Sequence, residues 1–228
     1  MKKILVIAVA AFIGASASAQ IVQSTMLNIK KEKKTTWYVR AGVSFNNAAG
    51  EATKALKDDE CSVGSKMGYD FSVGFQRRIG NSGLYWGEEL GLGTRGAKAS
   101  YSDEEGEEKN SLLAHNVKFQ PLMLGFKYGI TDDIKVDAHV GGFVSYDFAG
   151  TGKTEWSEEG SEDASISELD EDFGYQRLDA GVQAGIGVWY KRYNFDISYQ
   201  KGFISVSDYI DNKNVYSSNL MIRLGIAF

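Results

Sequence analysis

The side chains best suited to proton transfer in this sequence are its two histidines, His115 and His139. Histidine changes charge near neutral pH and is the most common general base in enzymes. Ser111 precedes His115 by four residues, so a serine nucleophile activated by histidine is the first chemistry to consider. His139 follows Asp137 by two residues, which places both side chains on one face of a strand. We expect Ser111 and His115 to be a chance pairing near a loop, and His139 to belong to a buried charge network.

Two further patterns resemble binding motifs. Residues 91–96 match the dinucleotide fingerprint G-x-G-x-x-G, but that motif needs a following helix, and an acidic stretch follows here instead. Acidic residues are dense in 103–108 and 155–172 without EF-hand spacing, which is typical of solvated loops. Cys61 is the single cysteine and has no disulfide partner in the chain. The sequence therefore predicts no catalytic, cofactor-binding or metal site.

The start of the chain has the features of a secretory signal peptide. Lys2 and Lys3 precede the apolar run 4–13, and the small residues Ala17, Ser18 and Ala19 form a cleavage site. We expect a signal peptide at 1–19, a periplasmic N-terminal segment at 20–35 and one domain at 36–228. The net charge of −5 disfavours nucleic acid as a partner.

Apolar and polar residues alternate with a period of two along much of this domain, which is typical of strands with one apolar face. From Trp37 to Phe45 the odd positions are apolar and the even positions are polar, small or tyrosine. Pro121 marks an expected bulge where the alternation changes parity. Glu88 interrupts an apolar face without an explanation from the sequence. The alternation recurs in seven further segments, at 69–76, 84–93, 122–128, 134–147, 178–190, 193–200 and 219–228.

The connections between these eight segments alternate in length. Short turns are expected at 80–83, 129–133 and 191–192, and long loops at 46–66, 97–111, 149–173 and 207–217. Short periplasmic turns and long extracellular loops are typical of outer-membrane barrels. A soluble lipocalin is the alternative, but its lumen would be apolar and its outside polar. The sequence therefore predicts an all-β fold, an eight-stranded antiparallel up-and-down transmembrane β-barrel in the cell outer membrane.

The polar face of the predicted strands would then point into the lumen. An eight-stranded barrel has room inside for side chains but not for an open channel. Both signs of charge are present on this face, so the groups can pair across the lumen, while glycines make room for larger side chains. The inward charged set is Arg40, Asp70, Glu89, Arg95, Lys135, Asp137, His139, Asp147, Asp179, Asp196 and Arg223.

Several stretches resemble the small porin-like outer-membrane β-barrels of Bacteroides-type bacteria, also described as the outer membrane protein beta-barrel domain. The resemblance implies the fold and the location, without catalytic residues to transfer. It also implies that the terminal Phe228 is the element that the barrel-assembly machinery recognises. The stretches are ELGLGTRGAK at 89–98, QPLML at 120–124, RLDAG at 177–181 with GIG at 185–187, YQKG at 199–202 and RLGIAF at 223–228.

The functional expectation that follows is a non-enzymatic barrel, acting as a surface structural or interaction module or as a very narrow passage. We expect it to be a monomer surrounded by outer-membrane lipid and lipopolysaccharide. The alternative is an outer-membrane enzyme that modifies lipid A, with His115 at the extracellular rim. Proximity of Ser111, His115 and a third polar group would favour the enzyme. The sequence does not identify a solute or a binding partner.

Overall fold

The computed structural model describes residues 34–51, 53, 61–103, 106–156, 160–206 and 214–228. The predicted signal peptide and residues 20–33 of the predicted periplasmic segment lie outside these ranges. Within them, no helix is long and apolar enough to cross a bilayer. The elements are β1 (Thr35–Gly50), β2 (Ser62–Gly64), β3 (Lys66–Arg78), β4 (Leu84–Asp103), β5 (Gly106–Gly129), β6 (Ile134–Trp156), β7 (Gly160–Ser165), α1 (Ile166–Phe173), β8 (Leu178–Tyr190), β9 (Tyr193–Ser205) and β10 (Val215–Ala227).

Eight of these strands close into a ring in the order β1, β3, β4, β5, β6, β8, β9 and β10, with β10 paired to β1. Every pairing in the ring is antiparallel. Except for the closing pair of β10 with β1, each pairing joins two ring strands that follow one another along the chain. Val39 shows the closure, because it is opposite Val73 of β3 on one side and Ile226 of β10 on the other. The predicted all-β, eight-stranded antiparallel up-and-down barrel is confirmed.

The two faces of the barrel wall carry opposite chemistry. Polar and charged side chains fill the interior, where Arg40 and Arg223 are 1% and 0% exposed. Large apolar side chains cover the outside, as shown by Leu92, Ile186 and Leu224 at 45%, 63% and 68% exposure. A soluble barrel would reverse this arrangement, since water favours polar outer surfaces. The outer wall is therefore suited to hydrocarbon, and the lipocalin alternative is excluded.

The predicted bulge is present at Pro121. Between Phe119 and Leu122, β5 has two residues opposite one residue of β6. A register shift also occurs toward β4, between Gly87 and Glu89. The buried positions consequently change from even numbers before Pro121 to odd numbers after it. Proline is tolerated at a bulge because its missing N–H leaves no ladder hydrogen bond unmade.

The long loops predicted at 97–111 and 149–173 are wrong in part, because regular structure continues in the described residues of both. β4 and β5 stay paired as far as Asp103 and Gly106, and β6 extends to Trp156 before turning back through β7. From Tyr146, where the pairing of β6 with β8 ends, β6 runs about 30 Å further. These extensions are mostly polar and lack a continuous apolar face, so the apolar period ends although backbone pairing does not. We call β7 and the extensions of β4, β5 and β6 beyond the ring the extracellular ribbon, after the side on which the alternating loop lengths predict that they lie.

A short helix, α1, follows the ribbon, although the sequence showed no useful helical period there. Ser165 and Glu168 form a capping box at its start, and Gly174 ends it with a left-handed φ of 59°. Hydrogen bonds from Ser165 hold the pKa of the exposed Glu168 carboxyl below its ordinary value. Ile166 and Leu169 pack with Ala114 and Tyr175 in a small apolar cluster. Capping and this cluster therefore define a helix too short to be read from periodicity.

Glycines inside the wall make room for aromatic rings, as the sequence analysis expected. A Cβ atom added at Gly125 would overlap the Tyr85 ring across the strand pair. At Gly129 of the same strand, the nearest atom to an added Cβ would be 3.8 Å away. The Tyr85 hydroxyl donates to Asp137 at 2.5 Å, so a displaced ring would lose a buried hydrogen bond.

Gly125→Ala is accordingly expected to destabilise the barrel by about 1–3 kcal/mol, the usual cost of overpacking a core. Gly129→Ala is the matched control on the same strand and is expected to be nearly neutral. The measurement is reversible urea unfolding of the lipid-reconstituted protein, followed by gel mobility of unheated samples. Equal midpoints for the two variants would contradict the proposed packing role.

Candidate functional site: the filled lumen and the extracellular end

Arg223 of β10 is at the centre of the lumen and contacts three carboxylates. It donates to Asp70 at 3.1 Å, Glu89 at 2.8 Å and Asp196 at 2.6 Å. A further bond reaches the Ser198 hydroxyl at 3.1 Å. The three acids come from β3, β4 and β9, so one guanidinium links strands on different sides of the ring. A buried charge of this kind is tolerated only when it is paired and hydrogen-bonded.

Two more cations complete this central network. Arg40 of β1 donates to Glu89 at 3.1 Å and to the Asn194 side-chain oxygen at 2.8 Å. Lys118 of β5 donates to Asp70 at 2.7 Å. Three cations therefore face the three carboxylates that Arg223 contacts, and the network is electrically balanced. Its members span the lumen from β1 to β5 and from β3 to β9.

An aromatic layer lies between the central network and the short-turn end. Tyr38, Tyr85 and Trp189 are buried there and pack with Met123. The Trp189 indole donates to Asp137 at 2.7 Å, and His139 Nδ1 is 3.3 Å from another oxygen of the same carboxylate. The expected burial of His139 in a charge network is confirmed. His139 Nε2 is also 3.3 Å from Ser198, which connects this layer to the central network.

A second network closes the long-loop end. Arg95 of β4 forms an ion pair with Asp147 of β6 and donates to the backbone carbonyl of Gln176 at 2.6 Å. Tyr175, just after α1, donates to Asp147 at 2.5 Å. Arg95 Nη1 also lies 3.5 Å from the Asp179 carboxylate of β8. These contacts hold the segment that follows α1 against the mouth of the barrel.

The space between the central network and this second network is very small. The cavity that contacts Arg95, Asn116 and Met221 has a volume of about 10 Å³. Such a volume corresponds to roughly one water molecule. Together with the aromatic layer, the packed side chains leave the middle of the lumen suited to a fixed ion-pair network and not to a hydrated channel.

The sequence predicted this lumen well, with one boundary error and two omissions. Lys135 is only half-buried, near the short-turn end. Lys118 was missed because the fourth strand was expected to start at Leu122, whereas Lys127 lies within that expected strand and was left out of the inward set. The signal available for Lys118 was the alternation of Lys118 and Gln120 with Val117 and Phe119, which extends the strand before Leu122. The predicted inward residues that are buried are Arg40, Asp70, Glu89, Arg95, Asp137, His139, Asp147, Asp179, Asp196 and Arg223.

Ser111 and His115 do not form a catalytic pair. They are four residues apart on one strand, a separation of about 13 Å. The His115 ring stacks on Tyr69 and its Nδ1 is 3.1 Å from the Tyr69 hydroxyl, whereas Ser111 accepts from Lys66 at 3.4 Å. Both contacts lie on the outer surface of the extracellular end. Residues 91–96 lie within β4, so no helix follows the glycine-rich motif.

Metal binding has no support in the part of the chain that the structure describes. No group of three or more His, Cys, Asp or Glu side chains there could hold a metal ion. The exposed acids of the ribbon have lysine neighbours, with Glu107 at 2.9 Å from Lys109 and Glu155 at 2.5 Å from Lys153. The described part of the ribbon therefore presents a mixed-charge surface to solvent.

Solved structures and a protein family are similar to this chain. Neisserial surface protein A is 16% identical over 84% of this chain and 97% of its own, with a TM-score of 0.39. Ail, the attachment invasion locus protein of Yersinia pestis, is 13% identical over 86% of this chain and 100% of its own, also with a TM-score of 0.39. No curated protein is significantly similar to the chain. The family described as outer membrane protein beta-barrel domain matches residues 19–208. The chain belongs to this family, and its barrel resides in the outer membrane.

Proposed function

We propose that this protein is a non-enzymatic barrel closed by its own side chains, which acts at the cell surface as a structural or interaction module. The observation that supports the proposal is the balanced network around Arg223, which occupies the middle of the lumen. The resemblance to porin-like barrels of Bacteroides-type bacteria implies solute passage, and a very narrow passage is the form that this lumen could accommodate. We place the surface role first, because burial of paired charges favours a fixed network.

The extracellular ribbon is the surface that would carry this role. It extends beyond the ring, and α1 packs at its base. Tyr101 and Trp156, exposed at 42% and 39%, lie among its charged residues. Aromatic side chains supply large contact area in binding surfaces, and alternating charges supply specificity. Such a surface suits a protein partner or the carbohydrate of neighbouring lipopolysaccharide.

The enzymatic alternative, modification of lipid A with His115 at the rim, has less support. A histidine that acts as a base must lie within hydrogen-bond reach of its nucleophile. Ser111 and His115 contact different partners, and His115 is held by an outward-facing tyrosine. A deletion strain assayed together for permeability, adhesion and lipid A structure would discriminate. A change in lipid A alone would reverse the proposal in favour of the enzyme.

The closed lumen predicts that purified protein in planar bilayers shows no steady conductance of porin size. Open porins have about 16–18 strands, whereas eight strands leave space chiefly for side chains. A general porin reconstituted in the same membranes is the positive control. Reproducible large single-channel steps from a monomeric sample would refute the closed lumen and make solute passage the leading function.

Recognition of Phe228 by the barrel-assembly machinery is a further part of the proposal. Phe228 directly follows the last strand, and its backbone N–H donates to the Trp37 carbonyl at 3.0 Å. Phe228→Ala would keep this backbone bond but remove the aromatic ring, so we expect less protein assembled in the membrane. Phe203→Ala is the matched control, since Phe203 and Phe228 are similarly exposed at 60% and 63%. The measurement is the heat-modifiable fraction in outer-membrane preparations, and equal fractions for both variants would contradict the role.

A further inference from the structure

The short-turn end of the barrel contains a cavity that the proposed surface role does not use. Its volume is about 340 Å³, and it opens beyond the aromatic layer. Short turns of outer-membrane barrels face the periplasm, so the cavity opens to that compartment. Its walls come from the ends of β1, β3, β4, β5, β6, β8 and β10, and its lining includes Tyr85, Trp189 and the terminal Phe228. We call it the periplasmic pocket.

The lining of the periplasmic pocket is strongly basic. Lys191 is 3.8 Å from Asp133 on a neighbouring turn. No Asp or Glu is among the described residues that line the pocket. Concave sites lined by one sign of charge attract ligands of the opposite sign. The basic lining residues are Lys34, Arg78, Lys127, Lys135, Lys191 and Arg192.

Two polar side chains at the inner end of the pocket are arranged as donors. Lys127 Nζ lies 3.8 Å from the centre of the Trp189 ring and donates to Gln76 Oε1 at 2.8 Å. That bond fixes the orientation of the Gln76 amide. Gln76 is 4% exposed, and its Nε2 has no hydrogen-bond partner among the described residues. A buried donor without a partner is costly, and a bound acceptor would satisfy it.

We propose that the periplasmic pocket binds a small molecule that carries a carboxylate or phosphate group beside an apolar or ring portion. The anionic group accepts hydrogen bonds from Gln76 Nε2 and Lys127, and the apolar portion rests against Trp189 and Tyr85. The cations at the opening draw the ligand from the periplasm. Two sources offer this chemistry: soluble carboxylates and phosphates, including cell-wall peptides, and phospholipid headgroups of the inner leaflet.

The test is isothermal titration of the full chain in an uncharged maltoside detergent. Three probes represent the sources: inorganic phosphate, N-acetylmuramyl dipeptide and dihexanoyl phosphatidylglycerol below its micellar concentration. We expect saturable binding of at least one probe, with one ligand per barrel and weaker binding at high salt. Preference for the muramyl dipeptide or phosphate identifies a soluble source, and preference for the short-chain lipid identifies a headgroup.

Variants locate the binding. Gln76→Glu keeps the size and the acceptor for Lys127 but replaces the free donor by a negative charge, and we expect affinity to fall at least tenfold. A double variant, Lys34→Gln with Lys191→Asn, removes two exposed cations. It should weaken binding about threefold at low salt and leave the fold intact. Lys153→Gln, which removes a cation from the extracellular ribbon, is the matched control and should bind as the unmodified protein does. Absence of saturable heat for all three probes, or equal affinities of the Gln76→Glu and Lys153→Gln variants, overturns the proposal.

Discussion

Arg223→Met is expected to lower the free energy of unfolding by about 3–5 kcal/mol, the usual cost of removing one partner from a buried ion pair. Methionine has a similar length, so the packing volume is largely kept while the charge is lost. Asp70, Glu89 and Asp196 would then be left in the lumen with one cation fewer. Because a typical domain is stable by about 5–15 kcal/mol, a loss of this size is a large fraction of the total.

The measurement is reversible urea unfolding in lipid vesicles, with the matched change Arg177→Met as control. Arg177 also pairs with an acid, Asp170 at 2.9 Å, but both side chains are partly exposed. An exposed pair contributes about 0–1 kcal/mol, so this variant should behave nearly as the unmodified protein does. Adding Asp196→Asn to Arg223→Met should restore part of the loss, since it removes one unpaired charge. Similar destabilisation by the two arginine changes would mean that the central network does not stabilise the barrel.

The sequence was sufficient to identify most of the side chains that face the lumen, because alternation in a strand fixes the face of every residue once the strand is delimited. It was not sufficient to identify the partners. Arg223 and Asp70 are separated by 153 positions in the chain and meet only after the ring has closed. Their distance depends on the register of β1 against both β3 and β10, which alternation alone leaves open.

The two ends of the barrel were harder to predict than its middle. The extracellular ribbon lacks a continuous apolar face, so its backbone pairing leaves no clear period in the sequence. The periplasmic pocket was missed for a different reason. Its cations lie at the ends of strands or in turns, and Lys34 and Arg192 are far apart in the chain. In the sequence alone, these cations cannot be distinguished from ordinary solvated charges.

Arg95 is the residue on which the position of the segment after α1 chiefly depends. Its guanidinium donates to Asp147 through Nε at 2.8 Å, to the Tyr175 hydroxyl at 3.1 Å and to the Gln176 carbonyl at 2.6 Å. One side chain of β4 thereby joins β6 to the residues that lead into β8. Local opening of such a segment is governed by the few contacts that hold it.

Protease added to intact cells is expected to cut within 149–173 and to spare the part of each strand that lies in the ring, and Arg95→Met should accelerate this cutting at least tenfold. A tenfold change needs only about 1.4 kcal/mol of lost closing free energy, less than the usual cost of breaking a buried ion pair. Glutamate-specific protease is suitable, because the exposed Glu155 and Glu162 lie in this stretch. Lys153→Met, which breaks an exposed pair with Glu155 on the same ribbon, should leave the rate nearly unchanged. Equal rates for the two variants would show that Arg95 does not hold the segment closed, whereas cutting only after cell disruption would show that the long strands face the periplasm.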